Sequence, residues 1–135
     1  MTDRGYTLKA HSQKELLNQM EPGTFTFRHN VKVKGSEGKT VNIPVDAVIQ
    51  PKTAALPHLP ILIEAKSAGD FTNVNKRRKE EGKKMSQLKA TYGEQVVFVL
   101  FLCGYFDAGY LGYSAADGID WIWEHRLEDL DQLGL

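Results

Sequence analysis

Charged side chains occupy unusual positions in two hydrophobic segments of the chain. Asp46 lies within TVNIPVDAVIQ, among aliphatic residues where an ionised carboxylate is costly to desolvate. Glu64 and Lys66 close the apolar run ILIEAK. Residues two apart on a strand project to the same face, so Glu64 and Lys66 should point together. If the two segments pair as neighbouring strands, two carboxylates and one ammonium form a cluster.

A cluster of this kind predicts a site for a divalent cation. Two neighbouring carboxylates repel each other unless a positive charge lies between them. Mg²⁺ prefers oxygen ligands, and such an ion polarises a phosphate and lowers the pKa of a bound water. The structural alternative is a buried ion pair of Lys66 with Asp46 or Glu64. Because buried pairs rarely add net stability, three ionisable groups together favour a functional site.

Hydrophobic periodicity places these residues on strands. Alternation over Thr24–Lys34 predicts a half-buried strand, and Thr40–Gln50 predicts a second strand that pairs with it as an antiparallel hairpin. Ile61–Lys66 and Gln95–Cys103 are apolar enough to be buried strands, and Asn73–Tyr92 is helix-compatible. The sequence therefore predicts an α/β fold with a mixed β-sheet flanked by helices.

Capping signals predict a helix at each end of this framework. Ser12 and Glu15 form a capping box at the start of a helix expected over Ser12–Met20. Ser114 is expected to cap a last helical region that runs through Trp121 and Trp123 to Leu130. The aromatic residues of this region favour core packing or a subunit interface over stacking on bases.

Composition indicates one soluble domain. The 135 residues are 41% hydrophobic and 25% charged, with a net charge of zero, which suits a single domain over residues 1–135. The chain shows neither an apolar run of membrane-spanning length nor a signal-peptide core, so a cytoplasmic location is expected. The single Cys103 excludes a disulfide framework and a Cys-rich zinc site.

The zero net charge conceals an uneven distribution. Residues 1–89 hold 16 Lys and Arg against 9 Asp and Glu, whereas residues 90–135 hold one Arg against 8 acids. The positive charge is concentrated in the predicted helix that follows Lys66, which suggests a surface that faces a polyanion. The structural alternative is a solvated helix face. The basic residues that could contact the phosphates of a polyanion are Lys76, Arg77, Arg78, Lys79, Lys83 and Lys84.

The pattern Pro44-x-Asp46 followed by Glu64-x-Lys66 resembles the active site of the PD-(D/E)xK nuclease superfamily. The predicted order of helix, hairpin, third strand, helix and strand also resembles the core of the restriction-endonuclease-like fold. More narrowly, PVDAVIQ, PILIEAKSAGDFTN and NKRRKEEGKK are similar to type II restriction endonucleases of the XamI-like group. Glu-x-Lys occurs three times in the chain, but only Glu64–Lys66 ends an apolar strand.

The resemblance implies a role for each site residue. Asp46, Glu64 and the carbonyl of Ala65 would bind Mg²⁺, for which Mn²⁺ could substitute. Lys66 would position or help deprotonate the attacking water and stabilise charge on the phosphate. Glu15 is a further catalytic candidate, because related folds sometimes place a glutamate of the first helix near the metal. Its place in the capping box also gives it a structural explanation.

The function implied is a Mg²⁺-dependent DNA endonuclease of the type II restriction class, with double-stranded DNA as its partner. The apolar C-terminal segment makes a homodimer plausible. Restriction endonucleases are usually longer, so the chain could be a catalytic fragment or depend on a separate target-recognition domain or protein. The alternatives are a structure-selective nuclease resembling Holliday-junction resolvases, a non-catalytic DNA-binding module and an RNA nuclease.

Overall fold

The computed structural model describes residues 1–12, 16–35, 38–67, 74–104, 106 and 108–135, with the side chains of 74–78 and 108 excepted. In this part of the chain the strands are β1 Thr7–Leu8, β2 Thr24–Lys34, β3 Thr40–Ile49, β4 Ile61–Ser67, β5 Val97–Cys103 and β6 Asp120–Trp123. The α-helices there are α1 Val74–Tyr92 and α2 Ala108–Ala116. Short 3-10 helices cover Thr2–Arg4, Leu17–Gln19 and Leu127–Leu133.

The described strands form one mixed sheet in the order β1-β2-β3-β4-β5-β6. The predicted hairpin is confirmed, with β2 and β3 antiparallel from Phe25 opposite Ile49 to Lys34 opposite Thr40. Strand β4 is antiparallel to β3 and parallel to β5, and β6 is parallel to β5. Parallel neighbours need a crossover connection, which α1 supplies between β4 and β5 and α2 between β5 and β6. The α/β class with a mixed sheet is therefore confirmed.

Hydrophobic side chains cover both faces of the sheet. On one face, Leu62 and Leu100 belong to the same buried cluster as Met85 and Leu88 of α1. On the other face, Ile61 belongs to a smaller buried cluster that also includes Leu130 of the last 3-10 helix. Because alternate residues of β4 point to opposite faces, the side chains that follow Leu62 at even positions face α1.

The helix predicted over Ser12–Met20 is wrong in the described residues. Leu16 is extended (φ −67°, ψ 139°), and only Leu17–Gln19 is helical, as a 3-10 turn. Tertiary partners take backbone groups that a helix would use: the carbonyl of Asn18 accepts from the His58 N–H, and that of Met20 accepts from Gln50 Nε2. Gln13, Lys14 and Glu15 lie outside the described residues, so the capping box is not tested.

The final predicted helix is also wrong. Ser114 lies inside α2 rather than before a helix, and α2 ends ahead of Gly118, which adopts φ +77°. The following segment, DWIW, forms the edge strand β6. Ile and Trp favour strands when they can pack on a half-buried surface, and here Trp121 and Trp123 pack partly buried against the main core. No helix in the described part of the chain is both long and apolar enough to span a membrane.

Candidate active site

Glu64 and Lys66 lie together on the face of the sheet that α1 covers. Strand β4 is buried in its first half, and Glu64 there is only 8% exposed although it is charged. Its Oε1 accepts a hydrogen bond of 2.6 Å from the ammonium of Lys84 in α1. The Lys66 ammonium lies 3.9 Å from Glu64 Oε2. The two residues therefore point to one side, as their spacing predicts.

Asp46 lies where the pairing of β3 with β4 ends. The last paired residues are Ala47 and Ile63, and beyond them the Asp46 carboxylate accepts a hydrogen bond of 2.7 Å from the backbone N–H of Ala65. Ala65 is the residue between Glu64 and Lys66. A side-chain acceptor thus takes the place of a strand-to-strand bond, and it connects Asp46 directly to the Glu-x-Lys segment.

Asp46 also borders the opposite face of the sheet. It lines a cavity of about 400 Å³ together with apolar side chains such as Phe27, Ile63 and Phe101. Its carboxylate therefore sits at the seam between β3 and β4 and is exposed, whereas Glu64 is buried beneath α1. The convergence of Asp46 and Glu64 on one ion stays a prediction.

The backbone of β2 is unusual opposite Asp46. Pairing of β2 with β3 is continuous except at Arg28 and Asp46, which face each other between the pairs Phe27–Ala47 and His29–Val45. Arg28 has φ +52°, the left-handed region that costs roughly 1–2 kcal/mol for a residue with a Cβ. Its side chain is exposed. Such strain in the middle of a strand is typical of functional sites.

Glu81 of α1 is a member of the site that the sequence analysis missed. It is 1% exposed, and its Oε1 lies 3.4 Å from the Lys66 ammonium, closer than Glu64 does. The Tyr110 hydroxyl of α2 donates to the carboxylate, at 2.8 Å from Oε1 and 2.7 Å from Oε2. Burial raises the pKa of Glu81 above its ordinary value, although the bond from Tyr110 and the charge of Lys66 oppose this rise.

A signal for Glu81 was present in the helical spacing. Glu81, Met85, Leu88 and Tyr92 recur at intervals of three and four, which places them on one face of a helix. Met85 and Leu88 are buried on that face. An interpretation of this segment by its charge alone overlooks the position of Glu81 on that face.

The donor atoms on β3 and β4 suit a hard cation. Glu64 Oε2 is buried and has no hydrogen-bond partner among the described residues, which leaves a carboxylate oxygen available. Asp46 contributes a second carboxylate, and all these donors are oxygen, as Mg²⁺ prefers. Within the described residues, no group of three or more His, Cys, Asp or Glu side chains could hold a metal ion. A site here would therefore combine two carboxylates with backbone or solvent oxygen.

The remaining predicted residues fall into three groups. Glu15 lies outside the described residues, as do the side chains of Lys76, Arg77 and Arg78 in the first turns of α1. Lys79 and Lys83 are exposed and their contact with DNA stays a prediction. Lys84 is only partly exposed, because its ammonium turns inward to Glu64.

The sheet order and the residues at the end of β4 together define an α/β domain with a restriction-endonuclease-like fold. The fold is also similar to that of a protein from Vibrio cholerae, VC1899, with a TM-score of 0.50 and 18% identity; the match covers 82% of this chain and 26% of that one. At this identity the likeness concerns the fold alone.

Sequence comparison identifies the family. The family model described as XamI restriction endonuclease matches residues 1–123, so the chain belongs to that family. It is 65% identical over 131 residues to the type II restriction enzyme SalI of Streptomyces albus G. The match covers 97% of this chain and 41% of SalI, so the chain spans about two fifths of the length of that relative.

Proposed function

We propose that this chain is the catalytic region of a type II restriction endonuclease that hydrolyses phosphodiester bonds in double-stranded DNA with Mg²⁺. The observation that carries the proposal is the 2.7 Å hydrogen bond from Ala65 N–H to Asp46, which places a second acidic residue beside Glu64 and Lys66. The family membership and the likeness to SalI support it. Mn²⁺ also binds oxygen ligands and is expected to substitute for Mg²⁺.

Asp46, Glu64 and the carbonyl of Ala65 would hold the metal ion. When bound, the ion supplies Lewis-acid stabilisation of the phosphate charge and activation of water. The available oxygen for this role on Glu64 is Oε2, since Oε1 already accepts from Lys84. Asp46 keeps one oxygen on the Ala65 amide, which fixes its orientation relative to the Glu-x-Lys segment.

Lys66 would supply positive charge to the reaction. Its side chain is 17% exposed, so its ammonium acts in a partly desolvated site where charge is poorly screened. It would orient the attacking water and stabilise charge as the water oxygen bonds to phosphorus and one phosphorus–oxygen ester bond breaks. The departing ester oxygen takes a proton and becomes a hydroxyl group.

Exposed cations around this site would hold the DNA backbone. Lys79 and Lys83 are exposed on α1, two residues before and two residues after Glu81. Arg28 stands opposite Asp46 in β2, exposed, and makes no ion pair within the described part of the chain. Contacts of this type give affinity that falls steeply with salt. Arg28 extends the predicted DNA surface onto β2.

The proposed assembly of the enzyme follows from the number of DNA strands that one active site can cut. A single site cuts one strand, so a double-strand cut requires a homodimer or two successive binding events. Recognition of the DNA sequence is expected to involve a further domain or protein as well. An enzyme that acts on DNA inside a bacterial cell would be located in the cytoplasm.

Cleavage of supercoiled plasmid by the full chain tests this proposal. Wild-type protein with Mg²⁺ should nick or linearise the plasmid, with discrete products if this chain also recognises the DNA sequence and a smear if recognition lies elsewhere. EDTA or Lys66→Ala should abolish cleavage, and the exposed-residue control Lys39→Ala should not. A lack of metal-dependent cleavage by wild-type protein that still binds DNA would favour a binding module. Cleavage of four-way junctions in preference to linear duplex would favour the structure-selective alternative, and cleavage of RNA alone would favour an RNA nuclease.

A further inference from the structure

The two ammonium groups at the site pair with different carboxylates. Lys84 lies 2.6 Å from Glu64 Oε1, whereas Lys66 lies 3.4 Å from Glu81 Oε1 and 3.9 Å from Glu64 Oε2. Only the first separation is that of a short hydrogen bond, and the shorter of the two ion-pair contacts of Lys66 is with Glu81. The nearest partner of Lys66 is therefore a residue of α1 and not its neighbour on β4.

The side chains of Glu81 and of its partner Tyr110 are both held in fixed positions. The Glu81 side chain is 1% exposed, and the Tyr110 hydroxyl lies within hydrogen-bond distance of both carboxylate oxygens. Tyr110 is itself buried, at 4% exposure, and packs against Phe106 with ring centroids 5.0 Å apart. The long, flexible side chain of Lys66 gains a defined position only when its partner is fixed. The contacts with Tyr110 fix that partner, Glu81.

The burial of Glu81 needs an explanation that packing does not give. An apolar residue at this position of the helix would continue the Met85 and Leu88 face without the cost of desolvating a carboxylate. A buried charge retained at such a cost, in contact with a residue of the proposed active site, indicates a functional role. The contact with Lys66 supplies that role.

We propose that Glu81 is a positioning residue for Lys66, and that Tyr110 orients Glu81 for this purpose; the inference rests on the proposed nuclease function. Glu81 draws the Lys66 ammonium toward α1, which leaves Glu64 Oε2 without a hydrogen-bonded cation among the described residues. Glu64 can then bind a metal ion while Lys66 contacts the phosphate and the attacking water. Glu81 acts through Lys66 and does not itself touch the substrate.

Single-turnover cleavage by the full chain tests the role in catalysis. Glu81→Gln keeps the size of the side chain and removes its charge, so the cleavage rate at saturating DNA should fall about tenfold or more, which corresponds to about 1.4 kcal/mol. DNA affinity measured without Mg²⁺ should stay within about twofold. Glu80→Gln makes the same change at the exposed neighbouring position and should leave both quantities unchanged. Tyr110→Phe should reduce the rate in the same direction but less.

A readout without turnover separates positioning from a loss of structure. In metal-free protein, ¹⁵N NMR of the lysine ammonium groups should show a resolved signal that Lys66→Ala removes. That signal should shift or broaden in Glu81→Gln and stay in place in Glu80→Gln. Thermal unfolding of each variant confirms that the fold is intact, and Tyr110→Phe provides a second route if Glu81→Gln does not fold.

The possible failures are distinguishable. If wild-type protein does not cleave, the proposed function fails whatever the NMR shows. If wild-type protein cleaves and the folded Glu81→Gln variant cleaves at the wild-type rate, the positioning role is overturned. A weaker DNA affinity in Glu81→Gln with an unchanged rate at saturation would also overturn it, since that result assigns Glu81 to binding.

Discussion

The Asp46 carboxylate accepts a hydrogen bond of 2.7 Å from the backbone N–H of Ala65, the residue between Glu64 and Lys66. This bond replaces strand pairing at the point where β3 leaves β4, after the pair Ala47–Ile63. An acidic residue from one strand is thereby fixed against the Glu-x-Lys segment of the next. The separation of β3 from β4 creates the space that the Asp46 side chain occupies.

Substitution Asp46→Asn should abolish cleavage while preserving the fold. The amide oxygen of Asn can still accept from Ala65 N–H, but a neutral side chain binds Mg²⁺ poorly. We expect the cleavage rate at saturating DNA to fall by at least about 100-fold, or about 2.7 kcal/mol, with an unchanged thermal unfolding temperature. Asp120→Asn, at an exposed position of β6, is the matched control. Activity within about tenfold of wild type in Asp46→Asn would exclude Asp46 from the metal site.

Substitution Arg28→Gly should weaken DNA binding without weakening the fold. Glycine adopts φ +52° without the strain that Arg28 bears, which offsets the entropy that glycine loses on folding. If Arg28 contacts one phosphate, the slope of log affinity against log salt should become shallower by about 1. Arg28→Lys retains the charge and should keep most of the slope. A wild-type slope in a folded Arg28→Gly protein, measured by fluorescence anisotropy with duplex DNA, would contradict the contact.

Substitution Glu81→Gln should not destabilise the protein at neutral pH. Burial raises the pKa of Glu81, so the folded state binds this proton more tightly than the unfolded state does. The corresponding contribution to stability is present below the unfolded pKa and is lost as pH rises through the raised folded pKa. The variant should therefore unfold at the same or a higher temperature at pH 7.5, with an advantage that shrinks toward pH 4. A lower unfolding temperature at pH 7.5 would show that the ion pair with Lys66 outweighs desolvation.

The protein should lose stability as pH falls below 7, in part through His29. Burial, and secondarily the nearby His11, lowers the pKa of His29, so the unfolded chain binds a proton before the folded one does. Stability therefore decreases as pH falls from about the unfolded pKa of 6.5 toward the lower folded value. Urea unfolding of His29→Gln should show a flatter pH dependence between about pH 7 and 5. Exposed His125→Gln should keep the wild-type dependence.

Elements with a strong hydrophobic period could be predicted from the sequence. The strand predicted over Thr24–Lys34 has those bounds in the structure, and β3, β4, β5 and α1 lie within one or two residues of their predicted ends. Alternating and continuous apolar residues become buried when strands pack into a sheet. The same burial stabilises the sheet, so the pattern predicts the strand. The Glu64 and Lys66 pair was predicted for the same reason, since strand geometry alone puts them on one face.

The terminal segments could not be predicted, because tertiary contacts override their local signals. Ser114 resembles a helix cap but is buried inside α2, and the Trp-rich segment after it pairs with β5 as a strand. For Glu81, helical spacing indicates the buried face but not the contact with Tyr110. Its role depends on Tyr110, 29 positions away in sequence, and nothing local to Glu81 reveals that contact. The strained backbone of Arg28 likewise appears only once β2 pairs with β3.

The location of the metal ion tests the central claim most directly. Crystals of the full protein soaked in Mn²⁺ and measured for anomalous scattering should show a peak bound by both Asp46 and Glu64, on the side of the sheet that Lys66 faces. The peak should disappear from crystals of Asp46→Asn. An ion bound by Asp46 alone, in the cavity on the opposite face, or a well-ordered site without Mn²⁺, would contradict the assignment of these residues to one catalytic centre.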